Sequence, residues 1–291
     1  MPRRSPSTKN TSNRADTQGR QLPFLRSVSR RRSGDDGVFP FSVPVIRALD
    51  ALPFPSPVTF FVGENGSGKS TLLEGIASAA GLPAVGSADL AADATLGAQR
   101  ALGRALTLTW NRRSSRGFFL RAEDFFGFAQ RISAMRIEFQ QRIADLEIEY
   151  ADRSAFAKGL AMGPAHASLA DMERRYGVDL DANSHGQSFL RLFQSRFVPG
   201  GLYLLDEPEA PLSPQSQLAL MVMMQDMLAQ DAQFIVATHS PILLAYPGAT
   251  IYSFDQAPVA AVEYSDLQHV TLTRDFLNDP ARYLRAIRDP E

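Results

Sequence analysis

The stretch "VTFFVGENGSGKSTLLEGIASAA", residues 58–80, decides how the rest of the chain is read. Its first five residues are apolar and rich in β-branched and aromatic side chains, which predicts a short buried strand. "STLLEGIASAA" predicts a helix that ends near Gly81. Between them, "GENGSGKST" places Gly63, Gly68, Lys69 and Ser70 in the pattern of a phosphate-binding loop. Glycines let successive N–H groups turn inward at a helix start, which makes a nest for anions. Gly63, Glu64, Asn65, Gly66, Ser67, Gly68, Lys69, Ser70 and Thr71 are therefore expected to cradle the phosphates of ATP. Lys69 is expected at the β- and γ-phosphates, with the Ser70 hydroxyl on Mg²⁺.

Strand, loop and helix alternate further along the chain. "GLYLLDE" (201–207), "QFIVATHS" (233–240) and "ATIYSF" (249–254) read as strands, with a helical "QSQLALMVMMQDMLAQ" between the first two. This alternation predicts an α/β fold, a P-loop NTPase with a mostly parallel sheet flanked by helices. "ALTLTW" and "GFFLRA" flank the polar "NRRSSR", which predicts an antiparallel hairpin. Ile132, Met135, Phe139, Ile143, Leu146 and Tyr150 follow at helical spacing. That stripe lasts under three heptads, so it is read as the core of a helical lid at about 124–182 rather than as a dimerising coiled coil.

Parallel sheets bind ligands beyond the C-terminal ends of their strands. Asp206 and Glu207 close one strand and His239 ends the next, so all three are expected at one edge. Asp206 is expected to hold Mg²⁺, Glu207 to polarise the attacking water, and His239 to meet the γ-phosphate or that water.

Composition bounds the remainder. The chain has 291 residues and no cysteine, which excludes disulfides and thiol chemistry. Its apolar runs are too short to span a bilayer, and the Arg- and Ser-rich start lacks the apolar segment of a secretory signal; a cytoplasmic protein without membrane insertion is expected. Residues 1–36 hold nine Lys/Arg against three acids, and the remaining residues 21 against 28. Residues 1–36 are expected to be a disordered basic tail, plainly solvated or else a tether for nucleic acid. An ATPase domain is expected over 37–275 and a C-terminal helix over 276–291.

These motifs resemble the ABC-type ATPases, AAA-family in the broad sense, and specifically the soluble branch with SMC-like and OLD-like members. The resemblance rests on the phosphate loop, "LLDEPEAPLSPQSQ" and "VATHSP". The long gap between phosphate loop and Asp206 is similar to that branch, which inserts its lid there. The resemblance implies that "SHGQ" (184–187), 19 residues ahead of Asp206 counted from Gln187, corresponds to a Ser-Gly-Gly-Gln motif at a helix start. Ser184, Gly186 and Gln187 would then contact the phosphate of a second subunit's ATP, and Ser184 would also cap its helix. His185 departs from the motif. The family's Gln after the strand before the lid is missing as well; Glu123 stands near that place and either does the same work with more charge or is a surface acid, the reading favoured here. Phe39 and Phe41 are equally suited to stacking on adenine or to anchoring the core.

The resemblance implies a soluble ATP hydrolase that forms a homodimer around ATP and drives an unidentified effector protein. One alternative is a slowly hydrolysing, ATP-gated binding module for nucleic acid or a regulatory protein. Another is the energy subunit of a membrane transporter.

Overall fold

The computed structural model describes residues 23–31, 36–85, 97–176 and 185–288. The first half runs β1 (Leu25–Arg30), α1 (Pro44–Arg47), β2 (Ala51–Pro53), β3 (Val58–Val62), α2 (Lys69–Ala80), β4 (Ala84–Val85), α3 (Gly97–Ala105), β5 (Leu106–Trp110), β6 (Gly117–Arg121) and α4 (Ala122–Glu149). The second half runs α5 (Ala155–Tyr176), α6 (His185–Arg196), β7 (Leu202–Asp206), α7 (Pro214–Leu228), β8 (Gln233–Ala237), α8 (Pro241–Leu244), β9 (Thr250–Ser253), β10 (Ala260–Val262), α9 (Gln268–Asn278) and α10 (Pro280–Arg288).

Seven strands form the main sheet in the order β10-β9-β3-β8-β7-β6-β4, parallel except for β10 against β9. Every residue of β3, β7 and β8 is buried, as a sheet covered on both faces requires. Side chains alternate between the two cores with the strand period of two. Val58, Phe60, Tyr203, Leu205, Phe234 and Val236 enter one core with helices α6 and α7. Phe61, Leu202, Leu204, Ile235 and Ala237 enter the other, against α2 and the small sheet described next. Truncating one of the fully buried aromatics, such as Phe234, to alanine costs about 3–5 kcal/mol.

The expected hairpin does not form. β5 pairs antiparallel with β1, which pairs with β2, in a separate three-stranded sheet. β6 instead joins the main sheet, parallel to β7 and β4. The polar stretch 111–116 thus crosses from one sheet to the other. The partner of β5 comes from the stretch expected to be a disordered tail. Leu25, Val28 and Arg30 of β1 are buried, and Gln233 fixes the strand to the main sheet by accepting from the Leu25 N–H at 2.8 Å and donating to its carbonyl at 3.0 Å. Arg30 donates to the carbonyls of Ile46 (3.3 Å) and Arg47 (3.4 Å), pairs with Asp36 and lies over the Phe41 ring. It is a structural charge. Residues 1–22 of the expected tail lie outside the described residues.

Helices α4 and α5 occupy the place of the expected lid. Ile132 and Leu146 are buried and Phe139 packs on the same core, while Met135 is exposed, so only part of the stripe is covered. The expected C-terminal helix starts earlier and is broken: α9 ends at Asn278 and α10 begins at Pro280. Proline has no N–H to continue α9 and its ring suits a first helical turn.

Candidate nucleotide site

The register of the sheet brings the expected residues together. Arg121, Asp206 and Ala237 are Cα partners across β6, β7 and β8, so Glu207 and His239 follow at one edge. The phosphate loop leaves β3 at the same edge, because Phe61 pairs with Ala237.

The loop is a closed cradle. Its crest, Glu64 to Gly66, is exposed, whereas Gly63, Gly68 and Lys69 are buried. The Lys69 ammonium donates to the carbonyls of Gly63 (2.6 Å) and Glu64 (3.0 Å). Burial lowers the Lys69 pKa, and the carboxylates of Glu207 and Asp206 oppose that shift. Gly68 has φ +104°, and a Cβ there would lie 2.8 Å from both Val43 Cγ1 and Val45 Cγ2. Only glycine fits that backbone. Asp255, just past β9, accepts from the Glu64 N–H at 2.8 Å and props the loop from outside.

Ser70 donates to Asp206 Oδ1 at 3.0 Å, joining the loop to the acidic strand end. Burial pushes the Asp206 carboxyl up to about 6, against the bond from Ser70 and the charge of Arg121, which pull it down. Glu207 has φ +51°, a backbone region that costs a non-glycine residue about 1–3 kcal/mol and that clusters at functional sites. Its Oε1 lies 3.8 Å from His239 Nε2. Burial, then the charge of Lys69, lowers the His239 pKa, so the ring is neutral at neutral pH. The His239 N–H donates to Glu209 Oε1 at 2.7 Å, which fixes the loop that carries the imidazole.

Several contributors escaped the sequence reading. Arg121 pairs with the buried Glu74 of α2, reaches Asp206 (3.9 Å) and reaches Glu123 (3.5 Å). Glu123 itself is largely exposed. Glu209, Asp255 and His269, whose charge is felt at His239, complete the ring of polar groups. Asp255 follows directly on "ATIYSF", so the acid after a strand end was a usable signal. Glu74 and Arg121 are 47 positions apart and gave none.

"SHGQ" lies elsewhere. Ser184 is outside the described residues. Gly186 and Gln187 sit in the first turn of α6, Gly186 buried and Gln187 exposed. A Cβ on Gly186 would meet the Pro211 carbonyl at 3.1 Å and Ser216 Oγ at 3.5 Å, so this turn abuts the loop after Glu207. Phe41 is partly buried on the second core under Arg30, and Phe39 is exposed.

The residues present suit a magnesium nucleotide. Ser67 Oγ is buried in the cradle with no partner, and His239 Nε2 is buried with no hydrogen bond. Among the described residues no cluster of three or more His, Cys, Asp or Glu could hold a metal alone. Mg²⁺ is held typically by one or two carboxylates together with substrate phosphates and water, which is what Asp206 beside Ser70 offers.

A family model described as "AAA domain, putative AbiEii toxin, Type IV TA system" matches residues 58–161 and 187–245, more than half of the chain. The match omits Ser184 and Gly186 and includes Gln187. No curated protein matches the sequence. Among solved structures, the Smc head domain of Pyrococcus furiosus, bound to the C-terminal domain of ScpA, is 11% identical over 92% of this chain and 100% of its own, with a TM-score of 0.42. CbiO1 from Clostridium perfringens, part of an ABC transporter complex, is 15% identical over 92% and 100%, with a TM-score of 0.43. An ATP-binding cassette of an ABC transporter is 17% identical over 90% and 97%, with a TM-score of 0.45. Superpositions this loose add nothing to the fold argued from its own strands.

Proposed function

Because the chain belongs to this AAA-domain family and has the P-loop ATPase fold of ABC type, we propose that it binds Mg·ATP at the β3–α2 loop, hydrolyses it, and dimerises around it to drive a partner process. The observation that carries this reading is the register that sets Lys69, Ser70, Asp206, Glu207 and His239 around one sheet edge.

Lys69 and the first-turn N–H groups of α2 are available to the phosphates, since a helix start leaves those donors without partners in the helix. Lys69 exchanges two carbonyl partners for phosphate oxygens, so its charge is not left unpaired in either state. Ser70 and Asp206 would hold Mg²⁺, and the ion, when bound, would supply positive charge against the phosphates. Glu207 accepts the proton of the attacking water or orients it, and the neutral His239 imidazole donates toward the γ-phosphoryl group. The strained Glu207 backbone keeps that carboxylate beside His239.

The second subunit supplies the contact to phosphate that "SHGQ" is built for. In one chain the start of α6 faces Pro211 and Ser216. Two copies related by a two-fold axis would each complete the other's site.

Glu207→Gln tests both halves. It should bind Mg·ATP, lose hydrolysis by about 10²-fold or more and accumulate as an ATP-bound dimer in light scattering. Near-normal turnover would remove Glu207 from the chemistry. A monomer that stays monomeric in saturating Mg·ATP would remove the dimer.

A further inference from the structure

The stretch that crosses between the two sheets, 111–116, lies at the N-terminal edge of β6. The phosphate loop lies at the opposite edge, about 15 Å away along the strand. Two hollows meet there at Arg113. One has a volume of about 640 Å³ and is walled by Arg31, Arg104 and Arg113, with Trp110 among its lining residues. The other is lined by Arg112, Arg113 and Arg116 beside Asp231. The two linings together hold five arginines and one acid.

Most of this charge is uncompensated. Arg112 pairs with Asp231 at 3.4 Å. Arg31 donates to the Arg104 carbonyl at 2.7 Å and Arg116 to the Pro199 carbonyl at 3.2 Å. Those bonds orient the guanidinium groups and cancel no charge. Arg104 and Arg113 are exposed and pair with no acid among the described residues. Each guanidinium keeps donors free, because the group carries five N–H bonds.

We infer that this double hollow is a binding site for single-stranded nucleic acid, with the arginines on successive phosphates and Trp110 stacked on an unpaired base. Charge complementarity selects a polyanion, since the two hollows that share Arg113 carry four net positive charges between them. The aromatic residue selects an unpaired strand: base stacking on an indole needs a base free of its duplex, and a charged groove with a stacking platform is how sequence-tolerant single-strand sites are built. The site goes beyond the ATPase reading and does not depend on it. It also differs from a tether by the extreme N-terminus, because its arginines sit on α3, directly after β1 and on the connection between β5 and β6.

Trp110 is the only tryptophan of the chain, so emission excited on the red edge of the absorption band, where its tyrosines do not absorb, reports on this hollow. Titrating the full chain with oligo-dT should quench that emission to saturation. With about four phosphates neutralised, affinity should fall by about 50-fold between 50 and 200 mM salt. Arg104→Glu combined with Arg113→Glu, both at exposed positions, should abolish quenching while the melting temperature and its rise with Mg·ATP stay as in the parent. Lys69→Ala, which removes ATP binding, should leave oligo-dT quenching intact, so the two readings fail separately. Heparin, which has charge but no bases, should displace oligo-dT without quenching. An emission that oligo-dT leaves unchanged at low salt, or equal quenching in the double variant, would overturn the site. Duplex DNA binding as tightly as oligo-dT and with the same quench would overturn the single-strand assignment.

Discussion

Replacing Asp206 with asparagine should make the nucleotide-free protein more stable at neutral pH while destroying its response to Mg·ATP. Burial holds the Asp206 carboxyl at about 6 in the folded chain against an ordinary value of 3.8. At 1.36 kcal/mol per pH unit, keeping it ionised in the fold at neutral pH costs about 3 kcal/mol. The sign follows from proton counting: between the two values the folded chain binds more protons than the unfolded one, so stability falls as pH rises through that window and is level above it. Asparagine has no charge to desolvate. Its amide oxygen can still accept from Ser70, and the stronger bond that a carboxylate makes is already contained in the value of about 6. Arg121 keeps Glu74 and Glu123 as partners. The gain of about 3 kcal/mol corresponds to a rise of about 5–10 °C in melting temperature for a chain of this size. Calorimetric melts without nucleotide should show that offset at pH 7.5, about half of it at pH 5, and nearly none near pH 4. With Mg·ATP the parent should gain stability by ligand linkage and the variant should gain little. A variant that melts below the parent at pH 7.5, or an offset that does not change with pH, would refute the desolvated-carboxylate account of this site.

Lys69→Ala should fold normally and lose ATP binding in calorimetric titration, because the charge-assisted contacts to phosphate go with it; unchanged affinity would break the assignment of the loop. Gly68→Ala should lower stability by about 2–5 kcal/mol, from the positive φ and from contact with Val43 and Val45. Adding Val45→Ala should recover part of the packing share and leave the backbone share, a split that thermal melts of the double variant would check. Mixing inactive Lys69→Ala with inactive Gly186→Asp should restore about a quarter of the sites if each dimer builds two composite sites that fire independently. No recovery in a steady-state hydrolysis assay, with subunit exchange shown by light scattering, would count against them.

The parts of the fold legible in the sequence are those where local composition and burial agree. β3, β7 and β8 are buried at every position, so each reads as an unbroken apolar run ended by polar residues. Asp206, Glu207 and His239 were placed at one edge from that pattern alone, and the register put them there. β1 shows the opposite case. "LRSVSR" is two-thirds polar, and its place in the fold depends on distant partners: β2 and β5 pair with it, and Gln233, 208 residues away, satisfies the Leu25 backbone. A window on the sequence sees two arginines and two serines in a basic stretch and reads solvent. The hairpin error has the same root: "ALTLTW" and "GFFLRA" have the composition of neighbours, but β1 outcompetes β6 for the edge of β5, and β7 claims β6.

Arg121 shows why a matched motif is an incomplete map of a site. The family's pattern puts a Gln after this strand, and Glu123, near that place, is largely exposed. What the fold sets at the strand end is a cation, in register with Asp206 and paired to Glu74 on the helix that follows the phosphate loop. A buried acid that loses its cation partner is strongly destabilised, so Glu74 constrains where the guanidinium can go. The next residue, Ala122, is the first of α4. Helix α4, in the place of the expected lid, is therefore covalently continuous with the residue that pairs with the acids of the candidate nucleotide site. A displacement of the start of α4 has to be accommodated at Arg121, within reach of Asp206, so the placement of α4 and the charge balance at Asp206 are linked through one side chain.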